Sequence, residues 1–201
     1  NLKTYQGDLT KKNNIDKFIK FGIKNFKKIH AAVYCSYPKS KKWGVSFENL
    51  DEHYLNQDLQ KQLGGSIIFC QRIIKRFIQQ KEGNLILISS IQGVQAPKFE
   101  HYKNLNMSSP IEYSAIKSGI ISITKYLSKY YRNKNIRVNC VSPGGIKDNQ
   151  SNEFVKRYRK SCNSIGLISD SDVSKLILFL LSDESKYING QNLIIDDGWT
   201  L

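Results

Sequence analysis

The chain has 201 residues, 40% of them hydrophobic, enough for one globular domain with a buried core. No apolar run approaches the length of a membrane span and no signal-peptide pattern opens the chain, so a membrane partner is not expected. The formal net charge is +14, but the positives fall on polar helix faces, as in Lys11-Lys12, Lys24 to Lys28 and Lys156 to Lys160. A solvated surface is therefore favoured over a nucleic-acid interface, which would gather them into a stripe with interleaved aromatics.

In chain order, Thr4-Tyr5-Gln6 reads as the tail of a strand, followed by Asp8-Leu9-Thr10. Thr10 or a neighbour can cap a helix running to about Phe26, with apolar residues at Ile15, Phe18, Ile19, Phe21 and Ile23. Ile29 to Tyr34 is a short β-rich run, and Pro38 to Phe47 a polar loop. A long helix is predicted from about Leu55 to Gln79. Gly64-Gly65 inside it costs helix propensity, which close backbone approach to a cofactor or a neighbouring element would justify. Asn84 to Ile88 is nearly all apolar, as a strand covered on both faces should be. After a long loop from Gln92 to Pro110 comes a helix over Ile111 to Tyr131, with Ile116, Ile120, Ile123 and Leu127 as its core stripe. Ile136 to Val141 is a strand stopped by Ser142-Pro143-Gly144-Gly145, and Asn152 to Arg159 reads as a mobile basic helix. Asp172 to Leu181 is a helix and Leu193-Ile194-Ile195 a last strand. Strands alternating with helices predict an α/β fold, a doubly wound parallel sheet in a single domain over 1–201.

Cys35, Cys70, Cys140 and Cys162 are scattered without a C-x-x-C pair, which suits buried thiols in a reducing, cytoplasmic setting. His30, His53 and His101 lack ligand spacing, so no metal site is expected. The chemistry concentrates at Tyr113-Ser114-Ala115-Ile116-Lys117. A tyrosine and a lysine four apart share one helix face, and an ammonium beside a phenol favours the phenolate, making the tyrosine a proton exchanger near neutral pH. Ser89-Ser90 ends the preceding strand with hydroxyls.

These blocks, with Asn139-Cys140-Val141-Ser142-Pro143-Gly144-Gly145-Ile146, Ile188-Asn189-Gly190-Gln191 and Asp196-Asp197-Gly198 in this order, resemble the short-chain dehydrogenase/reductase family over nearly the whole chain. The resemblance implies a Rossmann-like fold and hydride transfer at a carbonyl or alcohol carbon, with NAD or NADP. It makes Tyr113 the acid/base. Lys117 would lower its pKa and hold the nicotinamide ribose. Ser90, or less favourably Ser89, would hydrogen-bond the substrate oxygen. Pro143, Gly144 and Ile146 would form the turn beneath the nicotinamide, with its carboxamide on the Ile146 backbone, although Asp148 stands where the family often has Thr. Asp8-Leu9 resembles the family's pair near the adenine. Gln62 falls where the family has a structural and catalytic Asn on the long helix, and Tyr34-Cys35-Ser36-Tyr37 replaces its Asn-Asn-Ala-Gly.

No glycine-rich phosphate turn opens the chain, and residue 1 is Asn. On the family alignment the first two strands are expected to be missing, a βαβ unit of roughly 30 residues or more. That would leave one edge of the Ile29 to Tyr34 strand open. The long stretch between Ser90 and Tyr113, Ala96 to Pro110 above all, should form a flap over the cleft. This stretch and Gly145 to Gln150 are similar to family members in bacterial surface-sugar pathways, including flagellin-modification proteins linked to legionaminic-type sugars. A small-molecule substrate is therefore expected, with a nucleotide sugar as the candidate. The rival reading is a non-catalytic remnant of such an enzyme. Family members form dimers and tetramers, and Ile73, Ile74 and Phe77 with Leu127 and Tyr130 are the apolar surface expected to pack against a second copy.

Overall fold

The computed structural model describes residues 2–201. Four parallel strands form one sheet in sequential order: β1 (Ala31–Tyr34), β2 (Gly83–Ile88), β3 (Ile136–Pro143) and β4 (Asn192–Ile195). Parallel pairing needs long crossovers, and the helices supply them. α1 (Lys12–Phe26) precedes β1. A helical run of α2 (Glu52–Asp58), a π-helical turn (Leu59–Gly64) and α3 (Gly65–Gln80) joins β1 to β2. α4 (Ile111–Tyr130) joins β2 to β3, and α5 (Asn152–Arg159) and α6 (Asp170–Leu181) join β3 to β4.

The period-two alternation of β2 sends Leu85 and Leu87 to one face and Ile86 to the other. Leu85 and Leu87 pack with Val138, Cys140, Ile15, Phe69, Ile74, Phe77 and Ile116, so α1, α3 and α4 cover that face. Ile86 and Val141 pack with Val173 and Leu180 of α6 on the opposite face. Each fully buried aliphatic side chain contributes about 1.5–3 kcal/mol. The doubly wound architecture is thus present, with every predicted helix in place. Arg137 fastens α6 to the sheet, donating to the carbonyls of Leu180, Ser182, Ser185 and Ile188.

Several details differ from the sequence reading. Thr4 to Gln6 form no strand, because β1 pairs only with β2 among the described residues and a strand needs a ladder. Tyr5 instead packs its ring 5.7 Å from Phe18 and 5.4 Å from Phe21 of α1. Among the described residues β1 has a strand neighbour on one side only. Thr10 does not cap α1: the N-cap is Lys11 without a side-chain bond, and Thr10 donates through N–H and hydroxyl to the Asp8 carboxylate. The close approach expected at Gly64-Gly65 occurs instead at Gly119, where an added Cβ would lie 2.6 Å from a Leu63 methyl. Ile73, Ile74 and Phe77 are interior, at 2%, 0% and 0% exposure, so they offer nothing to a second copy.

Candidate active site

At the carboxyl ends of the strands, a cleft of about 360 Å³ is lined by Ser89, Ser90, Tyr113, Lys117, Pro143, Gly144 and Ile146. β2 ends in the two serines, α4 carries Tyr113 and Lys117 on its first two turns, and β3 ends in the Pro-Gly-Gly turn. Open α/β sheets place their ligand crevices at this end. The serines divide their work. Ser89 donates to the Lys117 carbonyl at 2.7 Å, a strut between β2 and α4. Ser90 accepts from the Gln92 N–H at 3.2 Å, and its hydroxyl sits close enough to the Tyr113 phenol to favour its ionised form. Gly93 allows this packing, since a Cβ there would lie 2.7 Å from the Lys117 carbonyl oxygen.

The Lys117 ammonium donates to the Ile88 carbonyl at 3.1 Å and lies 5.5 Å from the Tyr113 ring centre. Burial lowers its pKa to about 8, while the Cys140 and Cys35 thiols act in the opposite direction. Tyr113 departs from expectation. Burial pushes its phenol above the ordinary value, and the Ser90 hydroxyl pulls the other way. The physical reason is the wall around it: the rings of Tyr37 and Trp43 meet Tyr113 edge-on at 5.7 and 6.1 Å, excluding the water that would stabilise a phenolate. The ammonium addresses the ring rather than pairing with its oxygen.

That wall belongs to the β1–α2 connection. Ser40 donates through N–H and hydroxyl to the buried Asp58 carboxylate at 2.7 and 2.6 Å, which pins the loop carrying Tyr37 and Trp43. The opposite wall combines Tyr102 of the flap, Phe154 and Tyr158 of α5, and Trp199. Here α5 is docked rather than mobile. Ser151 caps it, Phe154 and Tyr158 are buried, and the Tyr158 hydroxyl accepts from the Gly145 N–H at 2.6 Å. Arg157 donates to the flap carbonyls of Glu100 and Lys103, and His101 pairs with Ser161 at 2.9 Å. The Asp196-Asp197-Gly198 block is structural. Asp196 accepts from Gly198, Thr200 and the Thr200 hydroxyl in the turn that carries buried Trp199, and Asp197 accepts from the N–H groups of Ser164, Ile165 and Gly166.

The other predicted residues lie apart from this cleft or at its rim. Asp8 and Leu9 line a second cleft of about 520 Å³ with Tyr34, Cys35 and Ser36. Cys35 borders both clefts, so together they run along the ends of β1, β2 and β3. This suits an extended dinucleotide, with Lys117 and the Gly144–Ile146 turn at one end and Asp8-Leu9 at the other. The Ile146 carbonyl accepts from Gln150 at 2.8 Å, and the same amide takes the Asp148 N–H at 2.7 Å. The Asp148 carboxylate engages Asn149. Gln62 is buried in the π-helical turn, does not line the cleft, and its amide nitrogen has no partner among the described residues. Tyr102 lines the cleft from the stretch expected to form its flap, whereas sequence reasoning missed Tyr37, Trp43, Phe154, Tyr158 and Trp199 as lining or walling residues. The available signal was aromatics recurring in segments otherwise polar.

The family profile described as enoyl-(acyl carrier protein) reductase matches residues 1–200. The post-translational flagellin modification protein A of Campylobacter coli is 44% identical over 195 residues, covering 96% of this chain and 76% of that protein. The 7alpha-hydroxysteroid dehydrogenase of Bacteroides fragilis is 28% identical, covering 96% and 72%. A short-chain dehydrogenase from Leptospira borgpetersenii, solved with bound NAD+, superposes with a TM-score of 0.88 at 30% identity, covering 98% of this chain and 75% of that one. The chain belongs to the short-chain dehydrogenase/reductase family, whose members are NAD(P)-dependent oxidoreductases.

Proposed function

We propose that the chain interconverts an alcohol and a carbonyl on a nucleotide sugar used for bacterial surface glycans. The observation that carries the reading is the meeting of Ser90, Tyr113 and Lys117 in one cleft at the carboxyl end of the sheet. NAD(P), when bound, supplies or takes up the hydride. In the reducing direction Ser90 donates a hydrogen bond to the substrate oxygen and Tyr113 delivers the proton to it. Lys117, charged at neutral pH, holds the ribose end of the cofactor and keeps positive potential beside the phenol. Pro143, Gly144 and Ile146 would hold the nicotinamide end of the cofactor, and Asp8 and Leu9 its adenine end. Gln62 acts indirectly: its buried, unpartnered amide offers a donor to an internal water.

The sugar assignment rests on two supports. The flagellin-modification relative covers nearly the whole chain. The cleft itself offers aromatic faces with amide and hydroxyl groups from Gln92, Gln150, Tyr102 and Tyr158, a lining suited to a polyhydroxylated ring. The protein is further proposed to work in the cytoplasm as a homo-oligomer, a dimer or tetramer. Ile67, Ile123, Tyr126 and Leu127, which line an outward groove on α3 and α4, are the contact surface.

The test is to mix purified protein with NADH or NADPH and a panel of nucleoside-diphosphate keto sugars, simple ketones and ketosteroids, following loss of reduced-nicotinamide absorbance. Turnover confined to the sugars is the expected result. Turnover only of steroids or simple ketones overturns the substrate class. Failure to bind either cofactor, with the fold intact, would establish the non-catalytic remnant.

A further inference from the structure

Lys117 is 7% exposed, and its one hydrogen-bond acceptor among the described residues is the Ile88 carbonyl. No carboxylate pairs with it there. What faces the ammonium instead is aromatic, with the ring of Tyr37 at 5.4 Å and the ring of Tyr113 at 5.5 Å. The two rings meet at 71°, so the amine sits in a corner with a phenol on each side. Tyr37 is itself braced by Trp43, 5.4 Å away and edge-on, on the loop that Asp58 pins through Ser40. A second tie comes from the flap, where Ser108 donates to the Gly44 carbonyl at 2.6 Å. The roles assigned above place Tyr37 against Tyr113 only, not against Lys117.

We propose that Tyr37 is a positioning residue for Lys117: its ring closes the corner that holds the ammonium beside Tyr113 and keeps bulk water from it. The proposal rests on reading Tyr113 and Lys117 as the reacting pair. A ring face attracts an ammonium without neutralising it. A carboxylate in the same place would hold the amine charged far into the alkaline range. The groups around Lys117 come from every element packed on it: Cys35 and Tyr37 beyond β1, the Ile88 carbonyl of β2, Tyr113 of α4 and Cys140 of β3. Two acids act on Tyr37 itself. They are Glu112, which is buried, and Asp58, whose oxygens Ser40 occupies. Two effects of the ring oppose each other at Lys117. Its π face favours the charged amine, and its exclusion of water disfavours it. Burial dominates, because the amine's pKa is lowered to about 8.

The test reads the amine directly and needs no turnover. The full chain is prepared with 13C-labelled lysine, the Lys117 resonance is assigned by its disappearance in Lys117→Met, and its titration is followed by NMR. The expected midpoint is about 8 in the native protein. It should stay there in Tyr37→Phe, which keeps the ring, and rise by roughly one unit in Tyr37→Leu and Tyr37→Met, which admit water. Two ringless variants are made so that misfolding of one leaves the other. A native midpoint at the ordinary lysine value, an unchanged midpoint in the ringless variants, or an equal shift in Tyr37→Phe would each overturn the proposal. A native protein that titrates as expected but turns over no substrate would sink the proposed function and leave the positioning role standing.

Discussion

The two walls of the cleft are both aromatic, yet they are built to different ends. The wall from the β1–α2 connection puts Tyr37 and Trp43 directly on Tyr113, and Tyr37 on Lys117. The wall from the flap, α5 and Trp199 packs mainly on itself, with Tyr158 stacked 6.1 Å from Trp199 and His101 buried among them. Its polar atoms face the cleft or the Gly144–Ile146 turn, with the Tyr102 hydroxyl alone near enough to Tyr113 to feel its phenol. The first wall therefore touches both the phenol and the amine, and the second lines the mouth of the cleft. Similar composition does different work according to which neighbour each ring touches.

The largest effect should come from the group between the walls. Tyr113→Phe is expected to lower kcat by about 10²–10⁴-fold, the range for loss of a general acid, while leaving cofactor affinity nearly unchanged by calorimetry. Wild-type turnover in that variant would remove the first wall's purpose. Trp199→Ala should destabilise the protein by about 3–5 kcal/mol in urea melts, as large-to-small changes in a core do. The Lys117 titration should not move, and a shift there would show that the walls are coupled.

Lys117→Met sharpens the contrast from the other side, because a buried amine opposes folding. Its folded pKa of about 8 lies below the ordinary 10.5, so between those values the unfolded chain holds more protons and stability rises with pH. Below about 8 the full penalty applies, roughly 3 kcal/mol as an upper bound, offset by the lost bond to the Ile88 carbonyl. The variant should be more stable than native by about 1 kcal/mol at neutral pH, lose that gain within about one unit above pH 8, fall below native once pH passes 10.5 and only the lost bond remains, and should lack activity. Chemical melts at a series of pH values check both. The smallest effect belongs to the second wall's polar rim. Tyr102→Phe loses the hydroxyl that accepts from Gln92 at 3.1 Å, and KM for the substrate should rise with kcat unchanged, a cost of about 1 kcal/mol. A fall in kcat instead would erase the division between the walls.

The helices and strands were legible because their signals are local. β2 is an apolar run, α4 has a clean stripe, and Ser90, Tyr113 and Lys117 sit on elements whose ends the sequence marks with Pro and Gly. Three things were not legible, each for a non-local reason. Thr4 to Gln6 has strand composition, but a strand exists only with a partner. The direction of the Tyr113 shift depends on Tyr37 and Trp43, which arrive from a loop far upstream and whose inward turn is set by an Asp58–Ser40 contact no periodicity reveals. The docking of α5 looked improbable from its charge, because Phe154 and Tyr158 are only two positions in a basic segment, yet they are the two that face inward.

The wide turn between α2 and α3 has a bearing on all of this. From Leu59 to Gly64 the backbone takes π-helical spacing, so the helix carries one residue more than an α-helix would need there. Each residue rotates an α-helix by about 100°, so that extra residue resets the angular phase of everything before it relative to everything after. Phe69, Ile73 and Phe77 keep their bearing on the sheet while Asp58, upstream of the reset, points at Ser40. An unbroken helix could satisfy one of these headings but not both. A single inserted residue, far from Lys117 in the chain, thus acts as an indexing step that aims the loop carrying Tyr37.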